Sequence, residues 1–358
     1  MANRVTIQDI ADALGLSRNT VSKAINNTGV LADATREKIL KKAAEMGYKQ
    51  FSYFTAAELN KPELFTSDSP TAGEIALITT VFWGKSYFIS TIVDTFQKEL
   101  SRFGYSLTMH RVLDHEVESL KLPSSFDPKK TSGIICFEMF DRPYCQMIRG
   151  LDIPVLFVDS PAACLNGPLK ADILLPDNQS DIGAFVKEMV GRNRKRIGFV
   201  GEHLHCQSFF ERYMGYQTAM FLSGLSPMEQ YCILGNQQGI RNPDSADYQE
   251  YLTGQLQNMK DLPEVFICAN DFVAVDLLQV LRKMKISVPG DLYLCGFDDA
   301  SASRMVTPSL TTIHIHSETM GLCAVDLLLS RIRRPSLNFR TVHTETSLIY
   351  RESTGDGR

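Results

Sequence analysis

Several absences bound this chain before anything present in it is read. Its 358 residues contain no apolar run of eighteen or more, so no membrane-spanning helix and no membrane partner are expected. The opening stretch MANRVTIQDIADALG lacks the long apolar core of a secretory leader, which points to a cytoplasmic protein. There is no C-x-x-C pair. The eight cysteines (136, 145, 164, 206, 232, 268, 295 and 323) are scattered, several inside apolar runs such as IICF and FICA. They read as reduced, buried thiols rather than disulfides or metal ligands.

Catalytic signatures are missing too. No GxxxxGK[ST] phosphate loop and no GxSxG elbow occurs. His115-Glu116 opens a zinc-protease motif, but Ser119 takes the place of its second histidine. His203 and His205 flank Leu204 just before Cys206, with no acidic partner placed by the sequence, so no metal and no cofactor are expected. An enzyme carrying an extra domain remains a rival reading, which turnover of a sugar would support. A transport-associated solute-binding protein is another, which a periplasmic location would support.

What is present is an ordinary globular composition, 44% hydrophobic and 22% charged, in a chain long enough for roughly two to three domains. The net charge of −4 hides an asymmetry. Residues 1–50 hold eight Lys/Arg against five Asp/Glu, a balance of +3, and the remainder stands at −7. A basic head on an acidic body suggests that the head alone meets a polyanion.

The head reads as three short helices. Thr6 and Asp9 form a capping-box pattern, and Ile7, Ile10, Ala11 and Leu14 then share one face. Gly15 breaks that helix and Ser17 caps a second, with Val21 and Ile25 turned inward. A third runs from about Ala34 to Met46 behind Asp33, with Ile39, Ala43 and Met46 inside and Gly47 as its stop. On the second helix Arg18, Asn19, Ser22, Lys23 and Asn26 fall within an arc of about 140° at about 100° per residue. That face carries no acid. Two helices joined through a glycine turn and braced by a third make a helix-turn-helix, whose second helix can enter a major groove.

The stretches VTIQDIADALGLSRNTVSKAINN and TREKILKKAAEMGY resemble the DNA-binding headpiece of the LacI/GalR transcriptional regulators. The resemblance implies that Arg18 and Asn19 read bases with Lys23 in support. It also implies that Thr6, Ser17, Thr20, Ser22, Asn26, Asn27 and Tyr48 contact phosphates or position the helix. The chemistry agrees: Arg pairs bidentately with guanine and Asn with adenine, at about 1–3 kcal/mol of discrimination each. After Tyr48 the resemblance weakens. Gln50 and Phe51 stand where the family's hinge has Pro-Asn, and Ala57 where it has a leucine that wedges into the minor groove. Phe54 or Leu59 could still act as a wedge, or the segment could pack on the body.

Beyond the small-residue linker TSDSPTAGE the chain alternates apolar runs with helical periods. EIALITT, YSLTMH, GIICFE, PVLFVDS, RIGFVG, YCILG, EVFICAN and DLYLCGFDD read as buried strands, with Ile92, Phe96 and Leu100 on an intervening helix. The fold class expected is therefore a small all-α domain followed by α/β, with two doubly wound parallel-sheet lobes around a cleft. Ligands of such sheets sit beyond the strands' carboxyl ends. Those ends supply Phe82, Trp83, Tyr87, Phe88, Glu138, Asp159, Arg212, Asp271 and Phe297 as candidate effector contacts. Asp298 and Asp299 read instead as turn caps, and Phe209 and Phe210 as core.

ERYMGYQTAM and the stretch from PEVFICAND to PSLTTIHI also resemble the LacI family. This implies the periplasmic-binding-protein-like fold, with Arg212 and Asp271 as the commonest effector contacts. Domains are expected at 1–50 (headpiece), 51–73 (hinge) and 74–358 (effector binding and dimerisation). One lobe takes about 74–172 and 301–330, the other 173–300 and 331–358. The function implied is a sequence-specific operator-binding regulator, expected to repress as a homodimer. A small molecule would modulate it: a sugar first, a purine second, with activation as the alternative outcome.

Overall fold

The computed structural model describes residues 5–25, 35, 38–39, 41–43, 46, 73–81, 87–164, 167–235 and 246–356, with the main chain only at 25, 87 and 88. The chain forms two compact units, Met1–Ser67 and Asp68–Arg358. Each is built around its own apolar interior.

In the first unit, helix α1 (Ile7–Leu14) starts as the sequence dictates. The Thr6 hydroxyl accepts the Asp9 N–H while the Asp9 carboxylate accepts the Thr6 N–H at 2.8 Å. Gly15 ends it at φ +63, the left-handed conformation that a side chain disfavours. Helix α2 (Arg18–Ile25) follows, with Ser17 Oγ accepting the Thr20 N–H at 3.1 Å. Ile10, Ala11, Val21, Ala24, Ile39 and Ala43 close the interior. The helical residues at 38–39 and 41–43 fall where the third helix is expected. Its cap Asp33 and stop Gly47 lie outside the described residues, as does the expected hinge 51–73 except for Gly73, which opens a strand.

The second unit holds a six-stranded parallel sheet of β1 (Gly73–Thr79), β2 (Tyr105–Arg111), β3 (Thr131–Phe137), β4 (Val155–Val158), β5 (Asp172–Pro176) and β10 (Thr341–Thr344). The order across it is β10-β5-β4-β3-β1-β2. A second parallel sheet is β6 (Ile197–Val200), β7 (Val265–Cys268) and β8 (Tyr293–Cys295), in that order. An antiparallel pair, β9 (Thr312–Ile315) and β11 (Thr346–Ile349), extends this second lobe through single bridges from β9 and the residue before it to Asp298 and Cys295. All-apolar strands such as Ile134–Phe137 are buried on both faces, as parallel sheets require. YCILG, expected as a strand, contributes only the bridge from Ile233 to Val200.

The lobe crossings differ from those expected near 172, 301 and 331. The chain leaves the first sheet after Pro176, returns after Ile315 and leaves again after Thr344. Helix α11 (Ser317–Arg333) thus belongs to the first lobe, where Gly321 lies so close to Ile92 and Thr95 that a Cβ would sit 2.9 Å from the Ile92 carbonyl. A four-residue run such as TVHT could pair in either sheet, and Asp172 settles which. Its carboxylate is fully buried and takes Arg331 Nε and Nη2 at 2.9 Å each and Arg340 Nη2 at 3.0 Å, holding β10 beside β5.

Candidate functional site

On α2, Arg18, Asn19 and Lys23 are exposed, while Val21 and Ala24 are buried beneath them. The sorting follows from helical period alone. Ser17 and Thr20 join hydroxyls at 2.8 Å, so both are engaged in fixing the helix start. Thr6 does the same for α1. Ser22 is half-buried. Asn26, Asn27 and Tyr48 lie outside the described residues. The result is a rigid, acid-free face of long hydrogen-bonding side chains at the start of a helix.

In the second unit, residues just past three strands converge. Glu138 follows β3, Asp159 follows β4 and Asp298 lies three residues past β8; all three have positive φ (49°, 63° and 108°). Arg212 comes from helix α7 (Gln207–Leu222), which follows β6. Its guanidinium lies over the Phe297 ring with Cζ 3.5 Å from the centroid. Nη1 donates to the Ala269 carbonyl at 2.6 Å and stands 3.4 Å from Asp298 Oδ1, and Nε donates to Asn178 Oδ1 at 3.0 Å.

One cation facing three carboxylates leaves the cluster short of positive charge. Burial, reinforced by Asp298 and Asp159, pushes the Glu138 carboxyl up to about 7. Burial also pushes Asp298 up to about 6, against the pull of Arg212. Asp159 is raised by burial although it accepts the N–H groups of Ser160 at 2.7 Å and Ser208 at 3.2 Å. Such a site suits hydroxyl groups, which can donate to carboxylates and accept from a guanidinium. It repels phosphate.

Two of the expected effector contacts are buried. Asp271 is 0% exposed. Its two oxygens accept Thr312 Oγ1 at 2.6 Å and the Ala300 N–H at 2.7 Å, and burial drives its pKa well up. It props the segment that carries Asp298. Phe297 is 1% exposed, a platform under the guanidinium with no free face for a ring. Conversely Asp298, read as a turn cap, is the carboxylate brought to Arg212. Its signal in the sequence was its place beyond a strand's carboxyl end, which the adjacent Asp299 shares. Asp299 is the structural one of the pair, taking Arg351, Arg304 and His314.

Phe209 packs at the margin of the core and reaches both Arg212, at 5.6 Å, and the ring of His205, at 5.3 Å. His205 also meets Phe140 of the first lobe at 4.9 Å, and burial holds its pKa below the ordinary imidazole value. His203 Nδ1 pairs with the Leu234 carbonyl. Among the described residues no three His, Cys, Asp or Glu side chains gather as metal ligands would. No helix among them is long and apolar enough to cross a membrane. Phe82 and Trp83 lie outside the described residues, as do the side chains of Tyr87 and Phe88 at the start of helix α3 (Tyr87–Arg102).

Comparison with known proteins agrees with both halves. Residues 6–50 match the model of bacterial regulatory proteins of the lacI family, and residues 186–354 match a periplasmic binding protein-like domain. The chain is 26% identical over 356 residues to the HTH-type transcriptional repressor PurR of Actinobacillus pleuropneumoniae serotype 3, covering 97% of this chain and 98% of that protein. It is 24% identical over 355 residues to the PurR repressor of Vibrio atlanticus, with the same coverage. Among solved structures, a complex of the transcriptional regulator CelR with cellobiose aligns at TM-score 0.66 and 23% identity, over 98% of this chain and 100% of the other. The lac repressor dimer bound to operator and the anti-inducer ONPF aligns at 0.62 and 21%, over 98% and 99%. These two likenesses are of fold.

Proposed function

We propose that the chain is a regulator of the lacI family, whose model matches residues 6–50, and that it represses transcription as a homodimer whose operator affinity is set by a neutral carbohydrate in the interlobe cleft. The observation that carries the carbohydrate reading is the arrangement of Arg212, Asp298, Asp159 and Glu138 at the strand ends. Neighbouring carboxylates and a guanidinium of fixed geometry match vicinal hydroxyls, which need a donor and an acceptor side by side. Arg212 Nη2 has no hydrogen-bond partner among the described residues, leaving its two N–H groups for a ligand. Cellobiose in the complex with CelR is the carbohydrate precedent on this fold.

In this reading Arg18 and Asn19 meet base edges and Lys23 supports them, with Thr6, Ser17, Thr20, Ser22, Asn26, Asn27 and Tyr48 at the backbone or holding the helix. Two headpieces of a dimer would reach half-sites about 34–36 Å apart. Asp271 and Phe297, expected as effector contacts, would support Asp298 and Arg212 at the edge of the site. Phe82, Trp83, Tyr87 and Phe88 would cover the apolar face of the ring.

Thermal shift of the full chain decides among ligand classes. Glucose, galactose and cellobiose are set against hypoxanthine, guanine and glucose 6-phosphate. A sugar at a hundred times its Kd adds about 2.7 kcal/mol of stability. Stabilisation by a purine alone, or by the phosphorylated sugar above its parent, would overturn the carbohydrate reading.

A further inference from the structure

The first crossover between the lobes carries a side chain that the sequence did not single out. Asn178 lies two residues past β5 and is 0% exposed. Its carbonyl oxygen accepts Arg212 Nε at 3.0 Å, and its amide nitrogen donates to Glu211 Oε2 at 2.9 Å and to Ser208 Oγ at 3.3 Å. One carboxamide therefore joins three residues of the first turns of α7. Glu211 continues outward: its Oε2 also meets His343 Nε2 at 3.1 Å, on strand β10 of the first lobe. Its Oε1 accepts Gln207 Nε2 at 2.9 Å, and Gln207 in turn accepts the Ala163 N–H at 2.8 Å and donates its own N–H to the Ser160 carbonyl at 2.7 Å.

Arg212 is thus tied through Asn178 and Glu211 to two first-lobe segments, the end of β4 and strand β10. Main chain adds to this. Gly215 of α7 lies against Asn178 and Gln179, where a Cβ would stand 3.1 Å from the Gln179 Cα. A ligand that pulls on the guanidinium cannot shift it without disturbing the crossover, since Arg212, Asn178 and Ser208 are buried together.

We propose that Asn178 is the positioning residue that couples Arg212 in the cleft to the lobe crossing, so that it sets how far ligand occupancy changes operator affinity rather than how tightly ligand binds. This rests on the effector reading above. It requires the Asn178–Glu211–His343 chain to have two arrangements that ligand and operator weight unequally, because coupling is a difference between states.

The test uses the full chain and an operator duplex selected from a random pool by the wild type, with cellobiose, glucose and hypoxanthine as probes. N178D keeps an acceptor for Arg212 but sets a second carboxylate against Glu211; N178D/E211Q restores a donor–acceptor pair with reversed polarity. N178D is expected to keep probe affinity within about threefold while the ratio of operator affinities without and with the probe shifts by about fivefold or more. N178D/E211Q is expected to return it towards wild type. H343A, at the half-exposed end of the chain, shifts that ratio in the same direction without altering probe affinity. An unchanged ratio in N178D, or parallel loss of probe and operator binding that the double variant does not rescue, overturns the proposal. A wild type that no probe stabilises counts against the effector reading. It overturns the coupling role with it, whereas an unchanged ratio in N178D beside a wild type that responds to a probe overturns the coupling role alone.

Discussion

Arg212 and Asp298 meet at 3.4 Å, both almost fully buried, with the guanidinium laid over Phe297. Removing one partner of such a pair strands a buried charge, which costs about 3–5 kcal/mol. R212M is expected to lower stability by that order and to abolish any ligand-induced rise in Tm. R212M/D298N, which leaves neither charge, is expected to recover a large part of the stability and none of the ligand response. Chemical denaturation of the three variants reads the first, thermal shift with sugars the second.

Glu138 supplies a pH signature. Its carboxyl, pushed up to about 7 in the folded chain by burial and by Asp298 and Asp159, ionises near 4.3 when unfolded. The folded state therefore holds the proton longer, and stability falls as pH rises from about 4.5 to 7, by on the order of 3 kcal/mol. E138Q removes that penalty. It is expected to be more stable than wild type at pH 8 and nearly equal at pH 5. Equal advantage at both would contradict the ionisation account.

Asp172 behaves oppositely. Burial would raise its pKa, but hydrogen bonds from Arg331 and Arg340 outweigh burial and hold it below the ordinary range. Its contribution is present at neutral pH and is lost as pH falls through its depressed value. D172N is expected to destabilise the chain by several kcal/mol at pH 7. The deficit should shrink in acid, measured as denaturation midpoints at pH 7 and pH 3.

In the headpiece, S17A removes the acceptor of the Thr20 N–H and should cost about 1 kcal/mol of headpiece stability. R18A is expected to flatten operator preference by about 1–3 kcal/mol at one base position while leaving non-specific binding largely intact. Mobility shifts at fixed salt against single-base operator variants measure this. A preference profile identical to wild type would remove Arg18 from the base-reading role.

Much of this was legible in the chain itself. A helical period sorts Arg18, Asn19 and Lys23 from Val21 and Ala24 whatever surrounds them, and Thr6, Gly15 and Ser17 mark helix ends by chemistry that acts within four residues. All-apolar runs likewise announce buried parallel strands, so the α/β class and most strands follow from local pattern. Local pattern could not choose between Asp271, Asp298 and Asp299, three acids past neighbouring strands. That choice depends on what lies across space: Thr312 and Ala300 for the first, Arg212 for the second, Arg351, Arg304 and His314 for the third. The placing of TVHT beside β5, and the meeting of Asn178 with Glu211 and His343, were equally hidden. Hydrogen bonds between residues 29 to 168 positions apart leave no periodicity to read, and only the packed chain decides them.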